Sequence, residues 1–287
     1  MTGGHGAVAA GHELTVAAAK QALAAGGTAV DAAVAAAWMA CVAEPVLASP
    51  GGGGFAMVGA AGETPVLCDF FAQTPKWRNP QAVFGAAGCD FGDATQVFHV
   101  GHGSTATPGF VPGLFALHER FGRLPMAALI GPAAQAAARG FTVTPFQEYL
   151  MGVVESILGH SASARRVFLP RGRLPKAGER FANPDLAAFL RLLAGGGLAA
   201  HAEDVIPRIL GQQRAAGHLR DDDVADYAVA WRAPLRVQRG DGVVWLNPPP
   251  AAGGVMIALA LAALDEAGMR DCPAGAMAAA LAAADDA

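Results

Sequence analysis

The hydrophobic positions near the start of the chain recur at helical spacing. Residues Glu13 to Ala25 have helical composition and run into Gly26-Gly27, which predicts a first helix with a glycine stop. Thr28 is a good N-cap, and Val30, Val34, Trp38 and Cys41 then fall on one stripe, which predicts a second helix to about Ala43. Alanine-rich faces on both allow close helix–helix approach. Glu44-Pro45 ends the second helix, and Pro50 with Gly51 to Gly54 makes a tight loop. Phe55 to Gly59 and Pro65 to Asp69 read as two short strands of a hairpin about the turn Ala61-Gly62-Glu63.

Further along, Gly103 to Gly113 carries Pro108 and Pro112 and reads as loop. Val111 to Arg123, Pro125 to Arg139 and Pro145 to Leu158 read as helices. Arg165 to Arg180 holds six bases and one acid and reads as loop. Asn183-Pro184-Asp185 combines a cap, a first-turn proline and an acid at the positive helix end; that helix should stop at Gly195 to Gly197. Asp204 to Ala216 is helical in pattern, and Asp221 starts a short helical turn through Tyr227. Pro234 to Gln238 and Gly242 to Leu246 read as strands joined by Gly240-Asp241. A long apolar helix should follow from Ala251 to Ala267, and an alanine-rich one from Pro273 to Ala284. There is no internal repeat and no clear linker. The pattern is α+β: helices packed on antiparallel sheets, in one domain over 1–287.

Composition narrows this picture. Of 287 residues 53% are hydrophobic and 15% charged, against a usual charged share of about 25%. Such a chain buries a large core or a large interface and is not intrinsically disordered. The net charge of −4 gives no whole-protein pull on nucleic acid or anionic lipid. The longest apolar run, Ala251 to Leu264, is 14 residues, short of the roughly 20 a membrane helix needs. The four cysteines, at 41, 68, 89 and 272, form no CxxC pair and read as unpaired, mostly buried thiols of a reducing, cytoplasmic setting. The opening residues lack a secretory pattern; a periplasmic or secreted protein whose leader has been removed stays open.

Candidate chemistry is sparse. The Gly51–Gly54 loop invites a phosphate cradle, but that motif needs Lys and Ser or Thr at its end, and Phe55-Ala56-Met57 follows. It reads instead as a pocket wall whose glycines permit positive φ or close backbone approach. His99 and His102 lack a third metal ligand nearby and read as loop residues, so no metal is expected. His12 reads as a local hydrogen-bonding residue at a helix start. Asp221, Asp222 and Asp223 suit a helix N-terminus without any cation. The six bases from Arg165 to Arg180 read as solvated. No GxSxG elbow is present, and no cysteine lies in an electropositive context. The residues alone assemble no complete catalytic group and require no cofactor.

Nine blocks in order nevertheless resemble one family. They are Leu23 to Ala37 with its Gly-Gly-Thr-Ala-Val-Asp core; Glu44-Pro45 followed by Gly51 to Phe55; Asp69-Phe-Phe-Ala-Gln-Thr-Pro75; Val111-Pro-Gly-Leu; and Phe121-Gly-Arg-Leu-Pro125. Ala138-Arg-Gly-Phe141, Asn183-Pro-Asp-Leu, Asp222-Asp-Val-Ala-Asp-Tyr227 and Pro248 to Gly254 complete the series. Together they resemble the large subunit of the gamma-glutamyltranspeptidase family, over about residues 10 to 287. The resemblance implies an N-terminal nucleophile hydrolase: a four-layer αββα sandwich built from two subunits cut from one precursor. It implies a partner small subunit beginning with Thr, whose hydroxyl attacks a small-molecule amide with its own α-amine as base. No catalytic residue is then expected in this chain. A dimer of such heterodimers stays open.

One block departs from the family. After the glycine loop the family reads Asp-x-Arg-Glu, and that Arg clamps the α-carboxylate of a γ-glutamyl donor. Here Phe71 and Ala72 stand in its place. Phe71 and Gln73 are therefore expected to form a substrate-binding pocket wall, with Lys76 or Arg78 as possible substitutes for the missing charge. Three functions follow: γ-glutamyl transfer or glutathione hydrolysis; hydrolysis of a non-glutamyl amide, such as a small amide or an acylated antibiotic; or a non-catalytic binding subunit.

Overall fold

A buried carboxylate organises the first helices. The computed structural model describes residues 6–266. Its elements in chain order are α1 (Glu13–Ala24), α2 (Ala29–Ala43), β1 (Phe55–Val58), β2 (Val66–Asp69), β3 (Gly85–Asp90), β4 (Thr95–Val100), α3 (Phe110–Phe121) and α4 (Met126–Arg139). Then come β5 (Phe141–Thr142), α5 (Pro145–Val153), α6 (Glu155–Leu158), α7 (Ala162–Phe168), β6 (Arg180–Phe181), α8 (Pro184–Ala200), α9 (Ile206–Ala216) and α10 (Asp221–Ala225). β7 (Ala230–Arg232), β8 (Leu235–Arg239), β9 (Gly242–Leu246) and α11 (Ala252–Glu266) follow. Two compact units form: residues 6–54 with 71–228, and residues 55–70 with 229–266.

In the larger unit, Thr28 caps α2 as its sequence indicates. Its hydroxyl accepts the Asp31 amide, and the Asp31 carboxylate accepts the Thr28 amide at 2.7 Å, a reciprocal capping box. Asp31 is fully enclosed. Both its oxygens also accept the Arg123 amide at 3.0 Å, and Oδ1 accepts the Leu124 amide at 3.4 Å. The Thr28 hydroxyl donates to the Phe121 carbonyl, and the Arg123 guanidinium to the Gly26 carbonyl, each at 3.0 Å. Gly27 and Gly122 close the box: a Cβ on either would come within 3.0 Å of the Asp31 side chain. Two sequence blocks about ninety residues apart are thus one structure.

Small residues let the helices close on each other. Ala18, Ala19 and Ala22 of α1 are buried, as are Val34, Ala35 and Trp38 of α2. Trp38 is fully enclosed, edge-on to Phe110 at 5.6 Å and Phe115 at 6.4 Å. Leu129, Ile130, Ala133 and Ala137 of α4, and Ala187, Leu190 and Leu193 of α8, extend the core. Gln147, a capping-box residue of α5, also donates to the Ala43 carbonyl, tying the start of α5 to the end of α2.

The smaller unit carries a three-stranded antiparallel sheet in the order β1-β2-β7, and the hairpin β8-β9 against α11. Asp69 of β2 accepts the Arg232 guanidinium of β7 at 2.7 Å. α11 buries Ala260 and Leu264 and leaves Ile257 and Leu259 largely exposed.

Several sequence readings need correction. The loop read to Gly113 ends earlier, at Gly109: Pro112 lies in the first turn of α3, as the helix read from Val111 has it, because a first-turn proline gives up no helical hydrogen bond. The helix read over 145–158 breaks at Val154, where φ −104° and ψ 20° leave the helical region. The basic stretch begins helically, in α7, capped by the Ser161 hydroxyl accepting the Ala164 amide. Within α8 the expected glycine stop is present: the first helix ends at Gly197 (φ 60°, ψ −147°), a conformation open to glycine, and a second helical segment runs on to Ala200. His99 lies in β4, opposite Ala86 of β3. Strands β3 to β7 went unread: β3 is small-residue Gly-Ala-Ala-Gly-Cys-Asp, and β5 to β7 are two or three residues each. The helix expected over 273–284 lies outside the described residues. Cys41, Cys68 and Cys89 are buried, in line with the reading of their sequence; burial pushes the Cys41 thiol up to about 12.

Candidate active site

The segment after β2 carries Phe71 and Gln73, and the larger unit holds it at four points. The Phe71 carbonyl accepts the Tyr227 hydroxyl at 3.1 Å. Gln73 makes a two-bond antiparallel bridge with Thr107, its amide donating to the Thr107 carbonyl at 3.1 Å and its carbonyl accepting the Thr107 amide at 2.8 Å. The Lys76 amide donates to Asp223 at 2.7 Å, and the Trp77 indole to Asp222 at 2.9 Å. Phe71 and Gln73, two apart on this extended stretch, have the spacing that shares one face. The Phe71 ring is 55% exposed. A large apolar side chain is therefore presented, not buried, from a backbone fixed on both sides.

Of the two cations of this segment, Arg78 is exposed and Lys76 is paired. The Lys76 ammonium is bound by Asp226; that hydrogen bond raises its pKa, with Asp222 and Asp223 adding to the effect. Asp222 is held below the usual carboxylate range by the Trp77 indole hydrogen bond. Asp223 is spent on backbone, accepting the Arg220 and Lys76 amides. The acidic run is thus a helix start that also grips the Phe71 segment, and the Lys76 ammonium is ion-paired with Asp226.

The glycine loop is held from outside by another backbone. The Gly52 carbonyl accepts the Gly109 amide at 2.9 Å and the Phe110 amide at 3.0 Å, the start of α3. Gly51 and Gly52 amides turn back to the Ser49 side chain and carbonyl. None of Gly51 to Gly54 takes positive φ. A Cβ at Gly51 would meet nothing nearer than 3.7 Å and one at Gly52 would meet the Ser49 carbonyl at 3.3 Å, so of the two only Gly52 shows the expected close approach, and the loop's first amides are occupied. His12 behaves as expected: its Nδ1 accepts the Leu14 amide at 3.1 Å and caps α1.

Tyr227, Thr107 and Trp77 were not singled out from sequence. Their signal was present in part, since Tyr227 ends the block Asp222 to Tyr227. What the pattern lacked was the pairing of that block with Asp69 to Pro75.

Residues 15–282 match the family model described as Gamma-glutamyltranspeptidase. The chain belongs to the gamma-glutamyltranspeptidase family. It is 34% identical over 258 residues to a Glutathione hydrolase proenzyme of Pseudomonas aeruginosa, covering 88% of this chain and 44% of the relative. It is 33% identical over 273 residues to an Acylase ACY 1 proenzyme of Pseudomonas sp. (strain V22), covering 92% and 48%. The chain thus spans about half the length of these relatives. The gamma-glutamyltranspeptidase from Pseudomonas nitroreducens complexed with L-DON superposes with a TM-score of 0.79 and 29% identity, over 93% of this chain and 79% of that one. The cephalosporin acylase from Bacillus halodurans gives 0.71 and 25%, over 86% and 46%. As in other gamma-glutamyltranspeptidase family members, the fold is α+β, of the N-terminal nucleophile hydrolase type. No helix among the described residues is long and apolar enough to cross a membrane.

Proposed function

We propose that this chain is the large-subunit part of a self-processing amide hydrolase or acyltransferase. It forms one αββα domain with a companion chain from the same precursor, and that companion begins with Thr. Family membership and the proenzyme names of the relatives support this reading. So do the apolar side chains Ile257 and Leu259 on α11, which a second chain would cover. The Thr hydroxyl attacks the amide carbonyl while the Thr α-amine takes its proton; the tetrahedral intermediate expels the amine, and water or another amine then takes the acyl group.

The donor is read from Phe71. An exposed phenyl stands where the family carries its carboxylate-binding Arg, and Lys76 is committed to Asp226. A phenyl offers no charge-assisted bond, which is worth about 1.5–3 kcal/mol. Phe71 and Gln73 then form the wall against an apolar acyl group, and the substrate is a non-glutamyl amide. The second reading, glutathione hydrolysis, rests on the likeness to the Pseudomonas aeruginosa relative.

Anilides sharing one leaving group separate the two. Turnover by the processed protein of apolar N-acyl p-nitroanilides should exceed that of γ-glutamyl-p-nitroanilide by about tenfold or more in kcat/KM. A preference for the γ-glutamyl donor would reverse the assignment.

A further inference from the structure

A cavity of about 280 Å³ lies between the start of α1, the loop after α2 and the first turns of α5. This is near the lower end of the range of roughly 300–1,000 Å³ typical of small-molecule sites. Its walls include Phe141, Phe146, Phe181, Leu150 and Met151. Phe141 and Phe181 are buried and meet edge to face at 5.8 Å, so this part of the wall is fixed.

The charge of the cavity is one-sided. Two carboxylates line it, Glu13 and Glu44, and no Lys or Arg is among the lining residues. Glu44 is half-buried, and its Oε1 accepts the Thr15 hydroxyl at 2.6 Å. Gly11 lies against its other oxygen so closely that a Cβ there would fall 2.3 Å from Oε2. His12 also lines the cavity; its Nδ1 accepts the Leu14 amide, and its Nε2 is buried without a hydrogen-bond partner among the described residues. Gln147 is spent on Ala43 and Thr144. The site thus presents carboxylate and aromatic faces with no Lys or Arg among its lining residues.

The geometry points to a binding site for a primary ammonium carried on a compact aryl-alkyl body. The ring lies among the phenylalanines, and the ammonium meets Glu44 and an aromatic face. A carboxylate-bearing ligand is repelled by Glu13 and Glu44. A neutral isostere keeps the apolar contact and loses both the ion pair and the cation–π term.

The test uses the processed full-length protein with ¹³C-methyl methionine, observed at Met151, and three probes: phenethylammonium, 2-phenylethanol and 3-phenylpropionate. The ammonium should shift the Met151 methyl saturably, with an affinity about tenfold above that of the alcohol, and the carboxylate should leave it unmoved. Glu44→Gln, which can still accept the Thr15 hydroxyl, should bring the ammonium and the alcohol to within about twofold. Equal affinities in the unsubstituted protein, or no saturation by the ammonium below about 10 mM, would overturn the proposal.

Discussion

Asp31→Ala should lower the stability of the chain by about 3–5 kcal/mol at pH 7, read as a fall in the urea midpoint at unchanged slope. The carboxylate accepts the Thr28, Arg123 and Leu124 amides inside the protein, with both oxygens in use. Removal strands three backbone donors, each costing roughly 1–3 kcal/mol when buried without a partner. Asp31→Asn should be little better. One of its two positions becomes an NH₂ group aimed at an amide N–H, since both oxygens of the native side chain accept.

The pH dependence has a definite sign. Burial pushes the Asp31 pKa up, but the Thr28 and Arg123 amides, with the Thr28 hydroxyl and Leu124 amide, outweigh it and leave the folded value below the ordinary 3.8. The contribution is therefore fully present above about pH 4 and lost as the pH falls through the lowered folded value. The stability gap between the native protein and Asp31→Ala should hold from neutral pH to about pH 5 and narrow below about pH 4. A gap that widened on acidification would contradict the assignment.

Phe71→Arg should raise kcat/KM for γ-glutamyl-p-nitroanilide by about tenfold, and turnover of apolar acyl anilides should fall. The gain is set near the lower end of a charge-assisted bond because Ala72 occupies the position of the family's Glu. The double variant Phe71→Arg with Ala72→Glu should gain more. The substitution is structurally mild, since the ring is 55% exposed and its backbone is held by Tyr227 and the Gln73–Thr107 bridge. No gain in either variant would show that position 71 does not meet the donor's carboxylate.

The long helices were legible because their signals are local: Thr28 before a stripe of Val and Trp, Asn183-Pro184 before α8, Gly26-Gly27 after α1. The short strands were not, because a two-residue pair such as Phe141–Phe181 exists through its partner forty residues away. The same reason hid the site. Each block was visible, but its chemistry lies in a second block: Thr28 and Asp31 with Phe121 to Leu124, Gly52 with Gly109 and Phe110, Phe71 to Trp77 with Asp222 to Tyr227. Periodicity reports the face a residue shares with its neighbours in sequence. It carries no record of which distant amide a carboxylate will accept. That is why Asp222 and Asp223 read as an ordinary helix start, although they also clamp the segment that presents Phe71.

The central claim is that this chain shares its domain with a companion whose first residue is the nucleophile. Intact-mass analysis of the full-length gene product, with N-terminal sequencing of each fragment, tests it most directly. Two fragments are expected, the smaller beginning with Thr, and replacement of that Thr by Ala should leave the precursor whole. A single uncut chain from the unaltered gene would contradict the account.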